Sequence, residues 1–142
     1  MGLFGFAKSA GERLAKAGAN FGEAIKDRVT GNAPDVKDLK VEEKNGKVVL
    51  EGKVKTQAEA EKAIIAAGNS QGVEEVESRL EVEEKADPAV FYTVKPGDSL
   101  SKIAKSHYGD AMRYPEIFEA NKPMLSDPDK IYPGQVLRIP GA

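Results

Sequence analysis

The side chains that most often carry catalysis are scarce in this 142-residue chain, which contains no cysteine and a single histidine, His107. Without a thiol there is no cysteine nucleophile, no disulfide and no thiolate metal site. His107 stands beside Tyr108 late in a helical segment, where an imidazole serves as a dipole partner or packing group rather than as a base. No Ser–His–Asp arrangement is suggested around it. The acidic stretches, Glu74-Glu75 and Glu81, Glu83 and Glu84, lack the Asp-x-Asp-x-Asp-Gly spacing of a calcium loop and would make at most a weak calcium patch. They read as solvated strand faces. The expectation is a protein that is not an enzyme, so any function rests on binding.

The elements that would position a binding site are clearest from Phe91 to Pro140. Tyr92-Thr93-Val94 alternates like a half-buried strand. Lys95-Pro96-Gly97-Asp98 breaks it, with Asp98 placed to cap the helix that follows. Leu100, Ile103, Ala104 and Tyr108 fall at helical spacing, and Gly109 ends the run. Met112 to Ala120 repeats the pattern with Tyr114, Ile117 and Phe118 before Asn121-Lys122-Pro123 stops it. Pro133-Gly134 is a turn, and Val136 to Ile139 a closing strand. This βααβ order, with "TVKPGDSLSKIA", "IFEANKP" and "IYPGQVLRIP", resembles the LysM module. The resemblance implies a grip on N-acetylglucosamine polymers such as peptidoglycan, in a groove between Gly97, Asp98, Ser99 and Leu100 on one side and Met124 to Ile131 on the other.

A second domain occupies roughly Asp35 to Glu84. Leu39, Val41 and Glu43 alternate with Lys40 and Glu42 as one strand, and Val48-Val49-Leu50 runs toward Val54 as its partner. Between them Asn45-Gly46 is a two-residue hairpin signal, since both positions tolerate positive φ. Thr56 and Glu59 have capping-box spacing. Ala60, Ala63, Ile64 and Ala67 then form one apolar stripe, and Gly68 sits where a left-handed C-terminal cap would be. Val76, Ser78, Leu80 and Val82 supply a third strand. This ββαβ order resembles the BON domain. The fold class expected is therefore α+β: a BON domain of helices on a small three-stranded mixed sheet, then a βααβ LysM domain.

In the first thirty residues Leu14, Ala17, Phe21, Ile25 and Val29 fall about four apart, giving a helix with one apolar face. Gly11, Gly18 and Gly22 weaken it, so a helix from about Ala10 breaks near Gly18–Gly22, and Phe21 to Val29 opens the BON domain. Phe4 and Phe6 are bulky anchors before it. Its charged face is mixed rather than strongly basic, which favours packing over a membrane surface. The domain limits read as an N-terminal segment over 1–20, BON over 21–85 and LysM over 91–140.

Composition narrows the partners. A formal charge of −2 gives no electrostatic case for nucleic acid. The apolar start Met1 to Ala7 is interrupted by Lys8, too soon for the apolar run of a secretory leader. No stretch approaches a membrane span, and Phe6 stands where N-myristoylation wants Ser or Thr. A cytoplasmic monomer is expected, which leaves a wall-binding module away from its wall.

Together the opening "MGLFGFAKSAGERL", the BON-like middle with "GNSQGV" at 68–73, and the single LysM module resemble the bacterial potassium-binding proteins of BON–LysM architecture. The resemblance implies a cytoplasmic sensor that holds K+ in preference to sodium and compacts when the ion is bound. It also implies a ligand set of main-chain carbonyls: Ala7 and Ala10 from the N-terminal segment, Gly68, Ser70 and Val73 from the turn, and a sixth ligand not assigned. Elementary chemistry is compatible with this. Potassium-selective sites are typically carbonyl cages that need no Asp, Glu or His. A helix C-terminus offers up to four orphan carbonyls and the negative end of its dipole, and Gly68 and Gly72 permit unusual dihedrals there.

Overall fold

The computed structural model describes residues 2–6 and 21–141. Its organising unit is the strand β3 (Lys47–Thr56), the helix α2 (Gln57–Gly68) and the strand β4 (Glu75–Glu84). β3 and β4 pair in parallel, from Lys47 opposite Glu75 to Thr56 opposite Glu84, a geometry that requires the crossover α2 provides. Thr56 starts that helix. Its Oγ1 accepts the Glu59 N–H at 3.2 Å, the N-cap half of the predicted capping box, while Glu59 Oε1 takes the Thr56 hydroxyl at 3.2 Å rather than its main-chain N–H. β2 (Lys37–Lys44) joins β3 as an antiparallel hairpin. The turn holds Asn45 at φ 52° and Gly46 at φ 85°, both in the left-handed region the hairpin demands.

The three expected strands are joined by a fourth. β1 (Gly2–Gly5) lies antiparallel to β4, Gly2 opposite Ser78 and Gly5 opposite Glu75, giving the sheet order β1-β4-β3-β2. Four residues of which two are glycine carry no strand signature, and it is the outer side of β4 that recruits them. α1 (Phe21–Asn32) includes the predicted Phe21 to Val29 piece and buries Ile25 and Val29 against α2 and the sheet. The helix expected from Ala10 and its break near Gly18 lie outside the described residues. Val48, Leu50, Ala63, Ala67 and Val76 complete this core.

The second core belongs to the C-terminal module. β5 (Val90–Thr93) and β6 (Val136–Ile139) pair antiparallel. α3 (Leu100–Tyr108) and α4 (Tyr114–Ala120) bury Leu100, Ile103, Ala104 and Ile117 against them. Gly109 takes φ 78° and closes α3 as predicted. Two details differ. The N-cap of α3 is Ser99, whose side chain accepts the Lys102 N–H; Asp98 instead accepts the Lys95 N–H at 2.8 Å and the Tyr92 hydroxyl. The Met112 to Ala120 helix begins as a short 3-10 turn over Ala111–Arg113 and becomes α-helical only at Tyr114, where Pro115 suits a first turn. His107 packs edge-on against the Tyr92 ring, centroids 5.2 Å apart, as a packing residue does.

Candidate functional site: the turn after α2 and its grip on the LysM strand

The turn from Gly68 to Val73 is buried at its two ends, with Gln71 exposed and Gly72 half-buried between them: Asn69 is 2% exposed, and Ser70 and Val73 are fully covered. It contains three of the five predicted ligands, Gly68, Ser70 and Val73, within six residues of chain. The other two, Ala7 and Ala10, lie outside the described residues. No main-chain N–H of a described residue reaches the carbonyls of Gly68 or Val73, whereas that of Ser70 accepts the Val73 N–H at 3.1 Å. A carbonyl oxygen has a second lone pair, so this bond leaves Ser70 able to ligate. The Ser70 hydroxyl turns back to the Ala66 carbonyl at 3.2 Å, which also takes Arg28 Nε at 2.8 Å. Among the described residues no three His, Cys, Asp or Glu side chains gather to hold an ion. The donor set offered here is main-chain oxygen at a helix C-terminus, which suits a large, weakly hydrated monovalent cation.

The two glycines of the turn do different jobs. Gly72 has φ 99°, the left-handed dihedral expected of it. Gly68 does not: it ends α2 in helical conformation, and Asn69 follows as C-cap at φ −82° with its N–H on Ile65 O. The expected left-handed cap at Gly68 is thus corrected. Gly68 is small because the Phe6 ring lies across it, so that a Cβ there would meet ring carbons at 2.1 Å. Phe6 is pinned by its own N–H to the Glu74 carbonyl at 2.9 Å. Phe6 is thus held against the turn by its ring at one end and its main chain at the other.

Asn69, which the sequence gives no reason to single out, faces the other module. Its Nδ2 donates to Val136 O at 2.8 Å and its Oδ1 accepts Val136 N–H at 2.8 Å. Nδ2 also lies 3.3 Å from Met124 Sδ, in the loop expected to line a glycan groove. Eight residues earlier on α2, Glu61 meets Arg138 of β6. Oε1 accepts from Arg138 Nε at 2.9 Å and NH2 at 2.8 Å, with both side chains buried. Glu61 Oε2 accepts the Ala89 N–H at 2.9 Å and Gln57 Nε2 at 3.3 Å, and Arg138 NH1 donates to Ala120 O. Phe4 of β1 stacks on Phe91 of β5 with centroids 5.0 Å apart. Nearby, burial lowers the pKa of Lys62, and the Arg138 charge lowers it further.

Of the predicted glycan groove, Leu100 and Leu125 are core residues, while Gly97 is exposed and Asp98 is occupied in holding the turn. The acidic residues Glu81, Glu83 and Glu84 are exposed as expected. No helix among the described residues is long and apolar enough to cross a membrane.

Comparison with known proteins accounts for both modules. The BON domain family matches residues 19–84 and the LysM domain family residues 92–140. Potassium binding protein Kbp of Escherichia coli O6:H1 is 45% identical over 150 residues, covering 99% of each chain. An uncharacterised Deinococcus radiodurans protein is 36% identical over 146 residues, covering 94% of this chain and 57% of its own. YqbP of Bacillus subtilis shares 38% over 58 residues, 34% of this chain and 26% of its own. End-to-end similarity at that level, with both modules in the same order, places this chain in the BON–LysM protein family that includes Potassium binding protein Kbp.

Proposed function

We propose that this chain is a cytoplasmic potassium-binding sensor, monomeric and not an enzyme, that compacts when the ion is bound. The observation that carries the reading is the turn after α2, where the buried Gly68 and Val73 have carbonyls that accept no main-chain N–H of a described residue, in a relative, over its whole length, of a protein named for potassium binding. The proposed ligands are the carbonyls of Gly68, Ser70 and Val73 with those of Ala7 and Ala10. The ion supplies charge that holds several carbonyl dipoles at one point; the chain's part is to orient them.

Compaction follows from where Asn69 stands. It lies between two proposed ligands, and its side chain holds β6. Ordering the turn around an ion fixes the Asn69 amide in the position that docks the LysM module. An ion that binds only the docked form stabilises it by about 2.7 kcal/mol at a hundredfold excess over its dissociation constant. The test is titration of the full-length protein with KCl against NaCl while the radius of gyration is followed by X-ray scattering. A fall in radius with potassium and little change with sodium is the expected result. A protein that stays expanded in saturating potassium refutes the mechanism.

Glycan binding by the LysM module is the second reading, favoured by the family match over 92–140. Retention on insoluble peptidoglycan, unaffected by the choice of potassium or sodium, would support it over the first.

A further inference from the structure

β1 covers less than half of the strand it pairs with. β4 runs for ten residues, Glu75 to Glu84, and β3 accompanies it along the whole length, but β1 pairs only from Glu75 to Ser78. In antiparallel pairing the main-chain groups of alternate residues face the neighbour. Phe6 bonds to Glu74, so Glu74, Val76 and Ser78 face β1, and by the same alternation Leu80, Val82 and Glu84 face the same edge beyond it. No strand among the described residues pairs there; among those residues the partner of the Leu80 N–H is the Ser78 hydroxyl at 3.4 Å.

Beneath that edge lies a groove of about 790 Å³, floored by Ala60, Ile64, Leu80 and Val82 and closed on its far side by the linker that follows β4, at Pro88 and Ala89, the latter held to Glu61. The helix layer therefore continues where the strand layer stops, and a strand prolonging β1 would drop alternate side chains onto Ala60 and Ile64. The opposite edge is protected. β2 carries Lys37, Lys40 and Lys44, a register break and a left-handed Asp38 at φ 54°, devices that blunt an edge strand.

We infer that the β4 edge over Leu80 to Glu84 accepts an extended peptide by strand addition, antiparallel to β4, with apolar residues facing the groove and basic residues facing solvent. The charge pattern selects that occupant. On the solvent face this stretch presents Glu81 and Glu83, which are exposed. A second copy pairing edge to edge would set these carboxylates against their own equivalents, and like charges directly opposite destabilise a sheet. A partner strand bearing lysine or arginine there gains instead.

The experiment titrates full-length protein with a synthetic acetylated and amidated peptide of three lysine–valine repeats, and reads binding together with amide hydrogen exchange. Saturable binding that slows exchange at Leu80, Val82 and Glu84 is expected. N-methylation of the peptide's valine amides should weaken it by about tenfold or more, the loss of one to two net hydrogen bonds. Changing lysine to glutamate in the peptide should weaken it as well. A Val82→Pro variant, which removes an outward N–H and no β3 bond, should lose the interaction; the N-methylated peptide supplies the same test should that variant fail to fold. Unchanged exchange at the three amides, or equal affinity for the N-methylated or glutamate peptide, overturns the assignment. Concentration-dependent protection without peptide would also overturn it, in favour of a second copy.

Discussion

Asn69 and Val136 exchange two hydrogen bonds of 2.8 Å across the boundary between the modules, the side-chain amide serving as a one-residue strand edge for β6. Both residues are buried, so neither main-chain group of Val136 can turn to water if the amide is removed. Asn69→Ala should destabilise the docked form by about 2–6 kcal/mol, since it leaves two buried groups unpartnered at about 1–3 kcal/mol each. Scattering in potassium should show a larger radius than the parent protein. Asn69→Asp keeps the acceptor for Val136 N–H but sets a carboxylate oxygen against the Val136 carbonyl, and should be no better. A variant with unchanged radius and stability would mean that the pair does not hold the modules together.

Gly68 gives a second test, because its smallness is needed for Phe6 rather than for a dihedral. Gly68→Ala must push the ring away from the turn, and should weaken potassium binding by loosening the segment that follows Phe6. Pairing it with Phe6→Ala removes the clash, so the double variant should recover part of the loss. Gly72→Ala differs: φ 99° is strained for any Cβ, costing on the order of 1–3 kcal/mol, and no change at Phe6 should repair it. Calorimetric titration with KCl separates the two patterns.

What the sequence made legible was local. The Asn45-Gly46 hairpin, the Thr56–Glu59 cap and the Gly109 stop each follow from residues within a few positions of one another. What it hid was non-local or steric. Asn69 meets Val136 across 67 positions and Glu61 meets Arg138 across 77, and an asparagine after a helix or a glutamate within one looks ordinary from its neighbours. β1 was hidden because Gly-Leu-Phe-Gly lacks β propensity and is made a strand by its partner. At Gly68 the local rule named the right residue for the wrong reason. The glycine-rich helix end marks the turn as a place where main-chain oxygens are free, but the choice of Gly68, Ser70 and Val73, like that of Ala7 and Ala10, rests on the family resemblance.

Asp98 predicts an acid response in the LysM module. The hydrogen bond from Tyr92, then that from the Lys95 N–H, holds its carboxyl below the usual carboxylate range. A folded pKa lower than the unfolded one means that ionised Asp98 stabilises the fold above the unfolded value, about 4. That stabilisation disappears as pH falls through the lowered folded value. Asp98→Asn should therefore be less stable than the parent at neutral pH, and the two urea midpoints should converge as the pH drops below about 4. Curves separated by a constant gap down to the acid limit would remove Asp98 from this role.

Glu61 and Arg138 allow the buried ion pair to be weighed as a stabiliser and as a latch. The carboxylate is satisfied on both oxygens, by the guanidinium on one and by the Ala89 and Gln57 donors on the other. Removing one partner leaves a buried charge facing nothing, at about 3–5 kcal/mol, so Glu61→Leu and Arg138→Leu should each lower stability and part the modules. Replacing both by leucine removes the desolvation cost along with the attraction, and such exchanges are often neutral. The double variant should then be more stable than either single one, which urea titration reads directly. If scattering shows the double variant docked and still responsive to potassium, the ion pair serves orientation and Asn69 carries the coupling. If it is docked but indifferent to potassium, the coupling runs through Glu61 and Arg138.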